Sequence, residues 1–260
     1  MKVLAVIPAR LGASRLPRKP LRLLGGQPLV VRVWQRVHEM EIAARCVVAT
    51  DSAEVADAIR RADGDVVLTR ADHRSGTDRV AEAATRAEFA GCDAVVNVQG
   101  DEPFVDAHAV SGALELVTSG RFAIGTAATA AAESILRESD VVKVVTGNAG
   151  QALYFSRAAI PHLRDDADAA LREGRIRRHI GVYAYSRDAL ARWVALPPHP
   201  LELIERLEQL RPLAAGMAMG VADISDVDAS QAGRGAGGID TEEDLMRANE
   251  LWSELMTENA

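Results

Sequence analysis

The chain has 260 residues, of which 48% are hydrophobic, and it carries a formal net charge of −7 at pH 7. This length and apolar content fit an α/β domain with a sizeable core, and the acidic balance argues against nonspecific nucleic-acid binding through a basic surface. The two cysteines, Cys46 and Cys92, provide neither a disulfide framework nor a metal-ligand spacing, and no apolar run approaches the roughly 20 residues of a membrane span. We therefore expect a cytoplasmic protein that binds neither nucleic acid nor a membrane.

Strands and helices alternate through the first half of the sequence. The predicted strands are short runs of apolar residues, at 3–8, 46–50, 65–69 and 94–99. The predicted helices have apolar side chains at helical spacing, at 28–40, 52–62, 78–90 and 107–117. This β-α-β-α order, with strands that are apolar on both faces, predicts a mostly parallel, doubly wound sheet.

The rhythm changes after Phe122, where strands follow one another with less helix between them. Predicted strands cover 122–130, 141–145, 152–156, 179–186 and 217–224. Predicted helices cover 187–195, 201–211 and 241–255, the charged stretch 165–178 is a loop or short helix, and 225–238 is a glycine-rich loop. No linker interrupts the pattern, so we expect one domain over 1–260, with extra strands in its second half.

The loop after the first predicted strand combines small residues with positive charge. Its small residues are Gly12, Ala13 and Ser14, and its cations are Arg10, Arg15, Arg18 and Lys19. Ligands of doubly wound sheets bind at the carboxyl ends of strands, where backbone N–H groups and cations can hold phosphate oxygens. The loop therefore predicts an anion site, although a basic surface loop is the alternative. The motifs GxGxxG and GxxxxGK[ST] are absent from it, which argues against a plain dinucleotide site or P-loop.

Lysine is rare in this chain, which has three lysines among 30 basic residues. A lysine ammonium is compact and mobile, whereas an arginine guanidinium is a planar fork. The bias toward arginine therefore singles out Lys19 and Lys143 as positions where an ammonium is needed.

Asp101 is a candidate ligand of a hard cation, and Asp240 lies just before a predicted helix cap. Asp101 follows the strand 94–99 through Gly100, which places a carboxylate at a strand's carboxyl end. Asp240 precedes Thr241-x-x-Asp244, which resembles a capping box at the start of the last helix. A turn residue at 101 and an ordinary residue before the cap at 240 are the structural alternatives.

Charged and polar side chains also occur on surfaces that the patterns predict to be apolar. On a helical wheel of 201–211, Glu208 and Arg211 fall inside a broad apolar arc, so they either form an i,i+3 ion pair or face a polar ligand. His179 and Tyr183 are four residues apart on one predicted strand and therefore on the same face. A lone histidine is more often structural than catalytic, so this pair stays open on pattern alone.

Nine segments together carry a resemblance to a known family. They are IPARLGASRLPRKPL, VATD, TRADHRSGTDR, VNVQGDEP, VVKVV, ALYFSRAAIP, RHIGVYAY, PLELIERLEQLR and GIDTEEDL. In this order they resemble the sugar-acid cytidylyltransferases, and most closely the 3-deoxy-manno-octulosonate (Kdo) cytidylyltransferase family. The resemblance implies a Rossmann-like nucleotidyltransferase fold, a homodimer and a Mg²⁺-dependent reaction. CTP and Kdo would give CMP-Kdo and diphosphate, for lipopolysaccharide or related glycan synthesis.

The resemblance also implies roles for individual residues. The nucleotide would be bound by Ala9, Arg10, Arg15, Lys19, Ser75 and Gly76. The sugar acid would be bound by Gln99, Arg157, His179, Tyr183, Glu208 and Gln209. Asp101 and Asp240 would hold the metal, and Lys19, Arg10 and Asp101 would be catalytic. The stretch 151–186 would serve both the sugar acid and dimerisation.

The chain departs from the family pattern at three places. The family's opening loop usually reads closer to ASTRLPGKP, whereas this chain has Ala13 and Arg18 in GASRLPRKP. The segment 212–239 is longer than usual, and HLRDD after Pro161 diverges. These departures concern the exact sugar acid, so activation of a different or modified 2-keto-3-deoxy acid is the alternative activity. A nucleotide-sugar binding protein without turnover is a separate alternative.

Overall fold

The structure, a computed structural model, describes residues 1–12, 15–225 and 238–258. These residues form two compact units, one made of 1–107 with 238–258 and the other of 108–225. The single domain predicted for 1–260 stays a prediction. Within the described ranges, no helix is long and apolar enough to cross a membrane.

The first unit contains a parallel sheet. Its strands are β1 (Val3–Ala9), β4 (Arg45–Thr50), β5 (Asp65–Leu68) and β6 (Ala94–Asn97), and a short hairpin is formed by β2 (Leu23–Leu24) and β3 (Gln27–Pro28). Its helices are α1 (Leu29–Glu39), α2 (Ala53–Arg61), α3 (Gly76–Ala84) and α9 (Glu242–Glu258). All seven residues of β1 are buried, and β1 pairs in parallel with both β4 and β6. The continuous apolar strands therefore fold as the sequence predicts.

The order of these strands locates a crevice. Reading across the sheet, β6 is followed by β1, β4 and β5. The chain therefore moves outward from β1 in one direction and returns to its other side with β6. A ligand crevice forms at such a reversal, at the carboxyl ends of the strands. The loops that follow β1 and β6 meet there, and they carry the cationic segment and Asp101.

The second unit adds mixed strands, as predicted. Its elements are α4 (Ala107–Thr118), β7 (Ile124–Ala130), β8 (Lys143–Thr146), β9 (Ala152–Ser156), α5 (Ala169–Glu173), β10 (Arg177–Ser186), α6 (Arg187–Ala195), α7 (Pro200–Glu205), α8 (Leu210–Ala214) and β11 (Met219–Asp223). β7 pairs in parallel with β11 and antiparallel with β10, and β8 pairs antiparallel with β10 and β9. The core of this unit includes Phe155, Tyr185 and Trp193, each at most 1% exposed.

The helix predicted over 201–211 is wrong. α7 ends at Glu205, Arg206 adopts the left-handed conformation with φ of 55°, and α8 begins at Leu210. A left-handed residue cannot continue an α-helix, so the wheel that placed Glu208 and Arg211 on one face does not apply. The guanidinium of Arg211 forms an ion pair with Glu202 at 2.5 Å.

Other predicted boundaries shift by a few residues. The helix predicted over 78–90 starts at Gly76, because the Ser75 side chain accepts a hydrogen bond from the N–H of Asp78 at 3.1 Å and caps it. It ends at Ala84 and is followed by a 3₁₀ turn. The last helix runs from 242 to 258, and most of the predicted loop 225–238 lies outside the described residues.

Gly100 allows the loop after β6 to approach β1. A Cβ atom added at this position would lie 2.7 Å from the carbonyl oxygen of Pro8, a distance that real side chains do not reach. The absence of a side chain therefore lets the two loops meet at the crevice.

We predict that Gly100→Ala lowers the melting temperature by several degrees, since overpacking costs about 1–3 kcal/mol. Gly91→Ala is the matched control, because a Cβ there meets no atom within 4 Å. Equal melting temperatures for the two variants, measured by calorimetry, would contradict the close approach.

Candidate active site

A pocket in the first unit brings the predicted nucleotide-binding residues together. It has a volume of about 300 Å³, and its lining comes from four segments and from Asp240. The lining residues of these segments are Pro8, Ala9 and Arg10; Arg15, Leu16, Lys19 and Pro20; His73, Arg74, Ser75, Gly76 and Arg79; and Gln99, Gly100 and Asp101. Ala9, Arg10, Arg15, Lys19, Ser75 and Gly76 all contribute to its wall. The cationic loop is therefore the wall of a cavity, which favours the anion site over the basic surface loop.

Lys19 contacts both acidic side chains of this pocket. Its Nζ lies 2.5 Å from Asp101 Oδ2 and 2.9 Å from Asp240 Oδ1, and its side chain is 16% exposed. Burial opposes the charge of Lys19, but the two carboxylates outweigh burial and raise its pKa above the usual value. The Nη2 of Arg15 adds a second cation, 2.7 Å from Asp240 Oδ2.

Asp101 and Asp240, the two residues for which the resemblance implies a metal role, are thereby brought to one point. Two carboxylates that converge on one ammonium also fit a hard cation, which prefers oxygen ligands. The part of the chain that the structure describes contains no group of three or more His, Cys, Asp or Glu side chains that could hold a metal.

The capping box predicted at the start of the last helix is confirmed. The N–H of Asp244 donates to Thr241 Oγ1 at 3.1 Å, and the N–H of Thr241 donates to Asp244 Oδ2 at 2.9 Å. The N–H of Asp240 reaches the same carboxylate at 3.1 Å. The N–H of Ile239 also donates to the carbonyl oxygen of Asp101 at 2.9 Å, so the backbones that carry both aspartates are fixed.

Sequence reasoning missed several residues of this pocket. His73, Arg74 and Arg79 also line it. Arg79 is buried, donates to Thr69 Oγ1 and lies 3.4 Å from Asp51 Oδ1. Burial lowers the pKa of Arg79. All three residues lie in the segment TRADHRSGTDR, in which the resemblance implies a nucleotide-binding role only for Ser75 and Gly76.

Gln99 also lines this pocket, with its Nε2 3.3 Å from Asn97 Oδ1. A Cβ added to Gly76 would lie 3.4 Å from Gln99 Oε1, so Gln99 adjoins the start of α3. The structure thus places this predicted sugar-acid residue beside the predicted nucleotide residues.

Arg18 stands where the family pattern usually has a glycine, and its backbone conformation is one that favours glycine. Its φ is 57°, in the left-handed region, where glycine is the residue without a steric cost. Its guanidinium forms an exposed ion pair with Glu54 at 2.5 Å. Arg18 does not line the pocket described above, and the other departure, Ala13, lies outside the described residues.

The second unit brings the predicted residues His179 and Tyr183 together. Their ring centroids are 5.6 Å apart, whereas four residues of a regular strand span about 13 Å. The pairing of β10 with β7 is irregular between Ile180 and Tyr183, so a bulge draws the two rings together. The pKa of Tyr183 is raised well above its usual value by burial, by the neighbouring Tyr185 and by the charge of Glu208. Glu208 is therefore close enough to Tyr183 to interact with it electrostatically.

Arg157 follows β9 and is held by backbone groups. Its Nε donates to the carbonyl oxygen of Glu205 at 3.0 Å, and its Nη1 lies 3.1 Å from the carbonyl oxygen of Ser139. Its backbone N–H donates to Glu205 Oε2 at 2.9 Å. Gln209, the remaining predicted sugar-acid residue, is buried.

Comparison with known proteins gives the family. A family model described as Cytidylyltransferase matches residues 4–219. A 3-deoxy-manno-octulosonate cytidylyltransferase from Gemmatimonas aurantiaca is 59% identical over 260 residues, which is 100% of this chain and 98% of the relative. The chain belongs to the cytidylyltransferase family. A relative of the same name from Azorhizobium caulinodans is 45% identical and covers 96% of this cytidylyltransferase.

Solved structures agree with this assignment. A CMP:2-keto-3-deoxy-manno-octonic acid synthetase complexed with CTP is 34% identical to this cytidylyltransferase, with a TM-score of 0.87 and coverage of 98% of this chain and 100% of the other. The inositol-1-phosphate CTP transferase from T. maritima, at 14% identity and a TM-score of 0.59, shares the fold alone. The predicted Rossmann-like nucleotidyltransferase fold, with a mostly parallel sheet, is confirmed.

Burial lowers the pKa of His179 to about 3. The unfolded chain protonates histidine near pH 6.5, so below that pH the unfolded state binds a proton that the folded state does not. We predict that this histidine makes the free energy of unfolding decrease as the pH falls from about 6.5 to about 3. His179→Gln should therefore lose less stability than the wild type between pH 7 and pH 4, as measured by urea denaturation. Parallel pH profiles for the two proteins would contradict the low pKa.

Proposed function

We propose that this cytidylyltransferase transfers the CMP moiety of CTP to Kdo and releases diphosphate, in lipopolysaccharide or related glycan synthesis. The observation that carries the proposal is the full-length likeness to the synthetase complexed with CTP, and a cationic pocket at the carboxyl ends of β1 and β6 supports it. A cytoplasmic setting stays a prediction.

The reaction is an in-line attack of the sugar acid's anomeric hydroxyl oxygen on the α-phosphorus of CTP. The new P–O bond forms as the bond between the α-phosphorus and the bridging oxygen breaks, and the hydroxyl proton leaves to solvent or a nearby base. Such a transfer needs positioning and charge neutralisation more than covalent participation by the protein. Arg10, Arg15 and Lys19 would neutralise the triphosphate, and the cations Arg74 and Arg79 of the same pocket support this role.

Asp101 and Asp240 would hold Mg²⁺. When bound, the metal would neutralise charge on the phosphate oxygens. The carboxylates lie on a fixed backbone, so they are already oriented toward one point. Lys19 contacts both of them and is therefore close to any phosphate that the same point attracts.

The second unit would supply the sugar-acid residues. Arg157 is suited to the carboxylate of the acid, because a guanidinium can bind a carboxylate through two parallel hydrogen bonds. His179, Tyr183, Glu208 and Gln209 would contact hydroxyl groups. A modified or different 2-keto-3-deoxy acid would use the same types of contact, so it remains the alternative substrate.

A homodimer through the stretch 151–186 is part of the proposal. Exposed apolar side chains support it: Leu153 on β9 is 56% exposed, and Leu203 and Ile204 on α7 are 52% and 76% exposed. α7 is tied to the end of β9, because Ser156 Oγ donates to Glu205 Oε1 at 2.6 Å. If these side chains form one contiguous apolar patch, that patch is typical of a surface that a partner covers.

The proposed function is tested by diphosphate release from CTP in the presence of Mg²⁺ and Kdo. We expect turnover with Kdo that exceeds turnover with a panel of other 2-keto acids. Faster turnover with another 2-keto-3-deoxy acid would favour the alternative substrate, and nucleotide binding without diphosphate release would favour a binding protein.

We predict that Asp101→Asn removes most of the turnover, because the amide cannot neutralise a cation as the carboxylate does. Metal titration should show that the residual activity requires more Mg²⁺. Asp93→Asn is a control, since the Asp93 carboxylate contacts the backbone N–H of Lys2. A rate near that of the wild type for Asp101→Asn at limiting Mg²⁺ would rule out a ligand role.

We predict that Lys19→Ala lowers kcat by roughly 100-fold or more, as loss of one charge-stabilising donor typically does. An interaction that strengthens as charge develops on the departing diphosphate changes kcat rather than KM for CTP. Steady-state kinetics with varied CTP would separate the two constants. An unchanged kcat with a higher KM would instead assign Lys19 to ground-state binding.

A further inference from the structure

Thr126 lies beside His179 in the middle of the second unit's sheet. It belongs to β7 and is fully buried. Its Oγ1 lies 2.7 Å from the carbonyl oxygen of Val182, 3.3 Å from that of Ile180 and 2.9 Å from His179 Nε2. Three polar atoms therefore surround one hydroxyl group.

The bulge in β10 creates this arrangement. Across the two strands, Ile180 pairs with Ala127 and Tyr183 pairs with Thr126, so Gly181 and Val182 have no partner position on β7. The carbonyl groups in this irregular stretch turn toward the Thr126 side chain instead of completing the ladder. The hydroxyl thus satisfies a buried backbone acceptor that the bulge leaves outside regular pairing.

The contacts determine where the protons lie. A hydroxyl has one proton to donate, and a carbonyl oxygen can only accept. The 2.7 Å separation between Thr126 Oγ1 and Val182 O requires the hydroxyl proton between them, because two lone-pair oxygens would otherwise repel in a buried site. Thr126 Oγ1 must then accept from His179, so Nε2 carries a proton.

The other ring nitrogen of His179 is consequently a hydrogen-bond acceptor. In a neutral imidazole that has its proton on Nε2, Nδ1 holds the lone pair. The low pKa of His179 agrees with a neutral ring. No hydrogen bond from a described residue reaches Nδ1, and the residue is only half-buried. The rings of Phe155, at 4.9 Å, and Tyr183, at 5.6 Å, pack against the imidazole and limit its rotation.

We propose that Thr126 is a positioning residue that holds His179 as its Nε2–H tautomer, so that Nδ1 accepts a hydrogen bond from a hydroxyl group of the sugar acid. The inference rests on the proposed function, because it takes His179 as a sugar-acid residue. It explains why a hydroxyl is needed at position 126: a valine has the same shape but leaves both Nε2–H and the Val182 carbonyl without a partner. It also gives His179 a preference for hydroxyl donors over acceptors.

The tautomer is tested by NMR on protein with ¹⁵N-labelled histidine rings at pH 7. The His179 signals are assigned by their loss in His179→Gln. We expect the wild type to show the proton on Nε2. A wild-type spectrum with the proton on Nδ1 would overturn the proposal, whether or not any variant folds.

The role in the reaction is tested with three variants. Thr126→Val should raise KM for Kdo about tenfold, equivalent to ~1.4 kcal/mol, with KM for CTP near the wild-type value, and should abolish the single Nε2–H signal. Thr126→Ser should restore both properties, because it keeps the hydroxyl. Thr129→Val, the same change further along β7, should leave both unchanged. An unchanged KM for Kdo in folded Thr126→Val would overturn the proposal.

The two proposals fail in different ways. An absence of diphosphate release by the wild type with Kdo would count against the proposed function, while the NMR assignment would still stand. Release by the wild type with a tautomer on Nδ1 would retain the proposed function and remove the role of Thr126.

Discussion

The proposed active site depends on the ion pairs that the ammonium group of Lys19 forms with Asp101 and Asp240. The ammonium joins three segments that are distant in sequence: the loop after β1, the loop after β6 that carries Asp101, and the segment before α9 that carries Asp240. Without this cation, two carboxylates would face each other across a partly buried site and repel. Lys19 therefore stabilises the close approach of the two aspartates.

The charges of this pocket are unbalanced in a way that suits a triphosphate. Among the described residues that line it, five are cationic and two are acidic: Arg10, Arg15, Lys19, Arg74 and Arg79, with Asp101 and Asp240. A nucleotide with several negative charges would reduce the repulsion among the arginines. The net charge of −7 for the whole chain hides this local excess of positive charge.

Much of the fold could be predicted from sequence because local pattern and tertiary structure agree. Apolar runs became buried strands, and α6 runs from Arg187 to Ala195 as predicted. The prediction failed at 201–211, where the apolar spacing looks helical throughout. There the left-handed turn at Arg206 and a hydrogen bond from the N–H of Leu207 to the carbonyl oxygen of Glu202 end α7. Helical periodicity records which residues are apolar, but it does not record such a turn.

The site was predictable where a residue type is unusual in its position, and it was missed where the residue looks ordinary. Cations after a first strand and Asp101 after Gly100 stand out in the sequence. Thr126 does not, because threonine is common in strands. Its role appears only when the bulge in β10 places two carbonyl groups and His179 around one hydroxyl.

The scarcity of lysine has a physical explanation at both positions that it singled out. Lys143 is fully buried, and its Nζ donates to the carbonyl oxygens of Glu138, Val141 and Arg157 at 2.9, 2.7 and 2.5 Å. Burial, followed by the charge of Arg157, lowers its pKa. Three donors on a compact ammonium match three converging carbonyls, whereas a planar guanidinium would not fit that geometry. Lys19 bridges two carboxylates in the same way. An ammonium is thus retained where several acceptors meet at one point, and at position 143 it fixes the backbone of Arg157, the residue proposed to bind the carboxylate of the sugar acid.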